Sequence, residues 1–223
     1  MRVLAFDVGI KNMAYCVING SHDTTSIEQW DVINIQNSEE APSIEECVTL
    51  TIDALRGKRD ELLAQPLDSI IIEQQPAGGH NVHANVKVKI VSHAIQAFFY
   101  MAGIAETTTI SFVSPVTKLK DMKKDIEDAK FVIEMAGADA TEGKKMKSRY
   151  TRNKKYAIFK TNEILNSVLD GDMSREVFRT ANGKKQDDLA DSFLLGYYYI
   201  KKQCKPAKPP KAVKPRAIKK QKV

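Results

Sequence analysis

The 223-residue sequence lacks any apolar run approaching the ~20 residues of a membrane-spanning helix, so no bilayer segment is expected. Cysteine is scarce. Cys16, Cys47 and Cys204 are odd in number and lack C-x-x-C spacing, which argues against a disulfide framework or a zinc module. They read as reduced thiols of an intracellular protein. Met1 runs directly into strand-like residues, so neither a signal nor a transit peptide is expected. A surplus of positive charge is also missing from most of the chain. The net charge is +6, but ten Lys or Arg and no acid fall in 201–223, leaving 24 basic against 28 acidic residues before that point.

What is present divides the chain in two. Residues 1–202 have the apolar content of one globular domain. Residues 203–223, rich in Lys and Pro and nearly free of bulky apolar side chains, read as a disordered basic tail. Such an arm suits nucleic acid or another polyanion, with a solubility or localisation role as the plainer reading. A second basic cluster, "GKKMKSRYTRNKKYAIFK" at 143–160, interleaves eight Lys or Arg with Tyr150, Tyr156 and Phe159. Its spacing predicts a helix with Tyr156 and Phe159 inward and the cations outward, towards solvent or phosphates.

The order of elements follows from periodicity. Strands are expected at 2–6, 13–18 and 27–35, with Asn19-Gly20 as a hairpin signal. Pro42-Ser43 opens a helix carrying Ile44, Cys47, Val48, Thr51, Ile52 and Leu55 at helical spacing. "LDSIIIEQQP" has the continuous hydrophobicity of a buried parallel strand. A helix at about 86–101, a strand at 109–115, and helices at about 152–168 and 187–201 complete an α/β domain with a mixed sheet.

Asp7 and Glu73 close two apolar strands, at the strand ends where α/β sites gather. In "DDLAD", Asp188 and Asp191 are three apart and share one helix face, while Asp187 points about 100° away. Alone, a strand-end Asp is also a turn cap and "DDxxD" a helix-cap cluster. Together, four carboxylates repel one another unless cations meet them. Oxygen-only ligands suit Mg²⁺ or Mn²⁺, and two such ions can act on a phosphodiester. His80 and His83 form an H-x-x-H pair, but a loop setting without a third ligand favours a solvated or DNA-facing role over a metal site. Gly78 and Gly79 permit close backbone approach to DNA. Lys118 either positions a scissile phosphate or is a surface lysine, and His93 reads as a packed or interface residue.

"FDVGIKNMAY", "IIIEQQP", "FVSPVTKLK", "KKYAIFKTNEIL" and "DDLAD" resemble the RuvC-type Holliday junction resolvases of the retroviral-integrase/RNase H-like superfamily. The likeness is to the branch of poxvirus, other large-DNA-virus and yeast mitochondrial cruciform-cutting enzymes, and covers about residues 2–200. It implies an RNase H-like mixed five-stranded sheet flanked by helices. It also implies a homodimer that cuts opposed strands of a four-way DNA junction, with no membrane partner and no small-molecule cofactor. By motif, Asp7, Glu73, Asp188 and Asp191 become catalytic acids holding two Mg²⁺ or Mn²⁺ ions. Lys144, Lys145, Arg149, Arg152, Lys154 and Lys155 would grip DNA phosphates, as would Lys118. The resemblance places the protein in the host cytoplasm or virion of a large DNA virus, or alternatively in a mitochondrion.

Other readings share the opening motif. Actin-like and sugar-kinase ATPases also begin with a strand, an Asp and a glycine-bearing hairpin, though they use two such domains and a second glycine-rich loop. A nuclease fold that binds without cutting, and one acting on RNA:DNA hybrids, use the same sheet.

Overall fold

The computed structural model describes residues 1–36, 40–75, 82–127, 149–167, 172–181 and 184–205. Five strands form one sheet in the order β3-β2-β1-β4-β5. They are β1 (Arg2–Asp7), β2 (Met13–Gly20), β3 (Thr25–Ile33), β4 (Ser69–Glu73) and β5 (Thr109–Val113). The first three run antiparallel as a meander, and β4 and β5 lie parallel to β1. The helices are α1 (Ile44–Gly57), α2 (Arg59–Leu62), α3 (Val82–Met101), α4 (Met122–Glu127), α5 (Arg149–Ser167), α6 (Asp172–Thr180) and α7 (Lys184–Gln203). No helix among the described residues is long and apolar enough to cross a membrane.

Strand alternation sorts the core into two layers. Leu4, Phe6, Ile70 and Ile72 pack with Leu55 of α1 and Val91, Ile95 and Phe99 of α3. Val3, Ala5 and Ile71 face the other way, against Leu189, Phe193 and Leu194 of α7 and Ala157 of α5. Burying each large apolar side chain of these layers contributes about 1.5–3 kcal/mol.

Local chemistry sets the boundaries. Ser43 Oγ accepts from the Glu46 N–H and Glu46 Oε2 from the Ser43 N–H, a reciprocal cap that starts α1 where Pro42-Ser43 predicts. The hairpin signal falls one step early: Asn19 and Gly20 remain in β2, paired with Ser26 and Thr25. The reversal is made by Ser21–Thr24, where Ser21 Oγ accepts from the Asp23 and Thr24 N–H groups. Helix α3 begins at Val82, earlier than its apolar periodicity indicates, and α6 has no counterpart in the elements expected from sequence.

Two close approaches fix the parts that matter below. A Cβ on Gly9 would lie 2.3 Å from the Asn12 carbonyl oxygen, so the turn out of β1 requires glycine. A Cβ on Gly196 would lie 2.6 Å from Ile18 Cδ1 and 3.2 Å from Ala5 Cβ, so α7 packs closely on the sheet there and a larger residue would need the Ile18 side chain to turn and the helix to give slightly.

Candidate active site

The alternation that builds the core also aims the acids. Val3 and Ala5 face α7, so Asp7, next in the same series, emerges on that side. Ile71 does the same for Glu73. Because β1 and β4 are adjacent and parallel, with Phe6 opposite Ile72, the two carboxylates leave the sheet side by side. Helix α7 supplies Asp188 and Asp191 from above. Its N-terminal half is pinned by Trp30, whose Nε1–H donates to the Leu189 carbonyl at 3.0 Å and whose ring stacks on Phe178 at 5.1 Å.

The cation comes from a different element. After β5, Ser114 caps a 3₁₀ turn over Pro115–Leu119, which drives Lys118 inward. Its Nζ lies 3.1 Å from Asp7 Oδ1, 3.0 Å from Glu73 Oε1 and 2.7 Å from Asp191 Oδ2. Lys118 is 6% exposed, which overturns the surface-lysine reading. The cleft around it, of about 480 Å³, is lined by all four acids, Lys118, Asn153 and Lys154 among others.

The protonation pattern follows from this packing. Burial pushes Asp7 up, but the Lys118 ammonium and a hydrogen bond with Glu73 outweigh it and hold the carboxyl below its ordinary value. Glu73 goes the other way: burial, then the charge of Asp7 and their shared hydrogen bond, raise it well above the usual range. Asp191 is pushed up by burial to about 6 despite Lys118. Asp188 is pushed up to about 7 by burial and by the neighbouring Asp187 and Asp7 charges, with Lys154 and an Asn12 hydrogen bond opposing. Burial works against the Lys118 charge, but Asp7, Asp191 and Glu73 more than compensate and keep it an ammonium.

Asp187, one position along, is buried and ion-paired with Lys154 at the cleft edge, and its Oδ1 has no hydrogen-bond partner among the described residues. Sequence reasoning missed this pair, although the charge run around Lys154 and the doubled Asp were its only visible signals. The sequence marks Lys118 as a candidate just past a strand, but its place among the acids depends on the turn beyond β5.

The remaining candidates are scattered. Arg152 is exposed, and Lys154 and Lys155 are half-buried on α5. Arg149 opens that helix. His83 falls within α3 rather than in a loop. Gly78, Gly79, His80, Lys144 and Lys145 lie outside the described residues, as do 206–223 of the expected tail. His93 is exposed on α3, its ring 5.0 Å from that of Phe112, rather than packed in the core. Tyr156 is fully buried and Phe159 packs beside it, as the helical reading of that segment expects.

The acids suit a divalent metal in kind. They are all-oxygen donors, and three of them already close round one cation. Among the described residues, no three His, Cys, Asp or Glu side chains are spaced as a finished ligand set.

A mixed five-stranded sheet of this order, flanked by helices, is the RNase H-like fold. Among solved structures, the chain is similar to the yeast mitochondrial Holliday junction resolvase Ydc2, at 17% identity and a TM-score of 0.58 over 91% of this chain and 78% of that one. It is also similar to T. thermophilus RuvC in complex with a Holliday junction substrate, at 12% identity and a TM-score of 0.52 over 92% of this chain and 98% of the other. No family model matches the sequence, and no curated protein matches it.

Proposed function

We propose that the protein is a metal-dependent endonuclease that resolves four-way DNA junctions, acting as a homodimer that nicks two opposed strands. One observation carries this reading: strand-end Asp7 and Glu73 and helix-borne Asp188 and Asp191 line one cleft on a fold shared with two junction resolvases. Asp7, Glu73, Asp188 and Asp191 would hold two Mg²⁺ or Mn²⁺ ions. Bound there, the ions supply positive charge to the scissile phosphodiester and lower the pKa of attacking water.

The protein's own groups prepare that chemistry. Burial and the adjacent Asp7 charge make Glu73 harder to ionise than a free glutamate, and it would hold a metal as a carboxylate. Asn12 orients Asp188, and Trp30 holds the helix that presents it. Lys154, set by buried Asp187, reaches the same cleft with a cation placed for a DNA phosphate, while Arg152 and Lys155 extend that charge along α5.

The decisive experiment compares Mg²⁺-dependent cutting of a four-way junction, a linear duplex and an RNA:DNA hybrid of matched sequence. The junction should be cut in preference to both. Preferred cutting of the hybrid would reassign the substrate, and no cutting of any would remove the nuclease reading.

A further inference from the structure

We propose that Lys118 is the resident cation of the acid cluster and that an arriving divalent cation takes its place, expelling the side chain from the cleft. The inference rests on the metal reading of the site and adds to it the event that metal binding requires.

The contacts of Lys118 set up the competition. The Lys118 ammonium lies 2.7–3.1 Å from oxygens of Asp7, Glu73 and Asp191, a separate oxygen for each. A Mg²⁺ ion needs its oxygens at ~2.0–2.1 Å. An ion that close to the same oxygens would lie inside or against the ammonium. Two positive charges at such a distance repel strongly in a buried site, where little water screens them. The ammonium and the ion therefore compete for one place.

That competition is asymmetric. Lys118 is tethered and always present, whereas the ion is drawn from solution, so the apparent affinity for metal is reduced by the fraction of time the ammonium is in place. The device also keeps the metal-free site from being a bare cluster of buried negative charges. The carboxylates draw in on a single charge until a doubly charged ion replaces it. The 3₁₀ turn that carries Lys118 lines the cleft through Pro115, Lys118 and Leu119, so the side chain can leave by rotating about its own bonds without unfolding a sheet strand.

Two measurements test this without activity. Isothermal titration with Mn²⁺ compares the wild-type protein with K118M and K118R. K118M should bind about tenfold tighter or better, and K118R no tighter than wild type. The second uses the unaltered protein. Acetic anhydride labelling, read by mass spectrometry, should modify Lys118 slowly without metal and several-fold faster with saturating Ca²⁺, relative to exposed Lys120. Wild-type binding of Mn²⁺ with no gain in K118M overturns the exchange and leaves the metal site standing. So does labelling of Lys118 that Ca²⁺ leaves unchanged, a result that holds even if K118M fails to fold. Binding to K118M alone would make the lysine a permanent block and equally overturn exchange. Failure of both proteins to bind removes the metal reading itself.

Discussion

Two lysines reach one cleft and meet its acids in different ways. Lys118 comes from a turn after β5, is almost wholly buried and serves three carboxylates. Lys154 comes from the long helix α5, keeps 30% of its side chain exposed and pairs with the carboxylate of Asp187. The difference is one of stoichiometry and access. One ammonium among three acids leaves negative charge over, which a divalent ion can use. The Lys154 ammonium pairs with Asp187, also lowers Asp188 and Asp191, and stays partly open to solvent while lining the cleft. The same residue type thus sits in two different settings within a single cleft: one lysine buried among three carboxylates, the other half-exposed beside Asp187.

Breaking the acid side of the first group should have the largest effect. Asp7→Asn should lower Mg²⁺-dependent junction cutting by about 10³-fold or more, since charge stabilisation by bound metal is worth several kcal/mol. Junction binding, followed by fluorescence anisotropy, should stay within about twofold. Undiminished cutting would sink the assignment of the site.

Stability separates the two lysines next. In metal-free buffer, K118M leaves buried carboxylates without their cation and should cost about 3–5 kcal/mol in urea unfolding. K154M should cost about 1–2 kcal/mol, because water reaches the exposed side of that pair. Equal losses would erase the distinction drawn above.

The pH dependence of the metal-free protein sharpens it further. Asp188 at about 7 and Asp191 at about 6 both sit above the ordinary aspartate value of 3.8. The folded state therefore binds more protons than the unfolded chain between roughly pH 4 and 7, and stability falls as pH rises through that window. Asp7, lowered instead, has the opposite sign and acts only below 3.8. Thermal midpoints in EDTA should decline from pH 5 to 8, and Asp188→Asn should flatten the decline. A midpoint that climbs across that range would contradict the raised values.

The smallest effect concerns the basic end of the chain. Residues 206–223 hold seven Lys or Arg and no acid. Removing them should reduce the slope of log affinity against log salt for junction DNA, by up to about 0.9 for each phosphate they neutralise. An unchanged slope would give that segment a role other than DNA affinity.

Much of this arrangement was legible in the residues alone. Continuous apolar strands ending in Asp7 and Glu73 announce both their burial and their carboxyl ends, and the i, i+3 spacing of Asp188 and Asp191 announces a shared helix face. That the sheet is mixed follows once β4 is read as parallel, whereas the strand order comes from the structure. What stayed hidden depends on tertiary placement. Asn19-Gly20 looks like a turn, yet Ser21 satisfies the backbone one step later. Lys118 reads as a phosphate-positioning or a surface lysine until a 3₁₀ turn carries it in among the acids. Helix α6 is nine residues long, too short for its periodicity to stand out.

Gly196 gives the last consequence. It lies five residues beyond Asp191, roughly 7.5 Å along the helix axis. The missing methyl there works as a depth gauge: it sets how far α7 sinks onto Ile18 and Ala5, and so how high its acids ride over Asp7 and Glu73. A single carbon atom added at that distance would press on the seat of the helix that carries half the site without touching an oxygen in it.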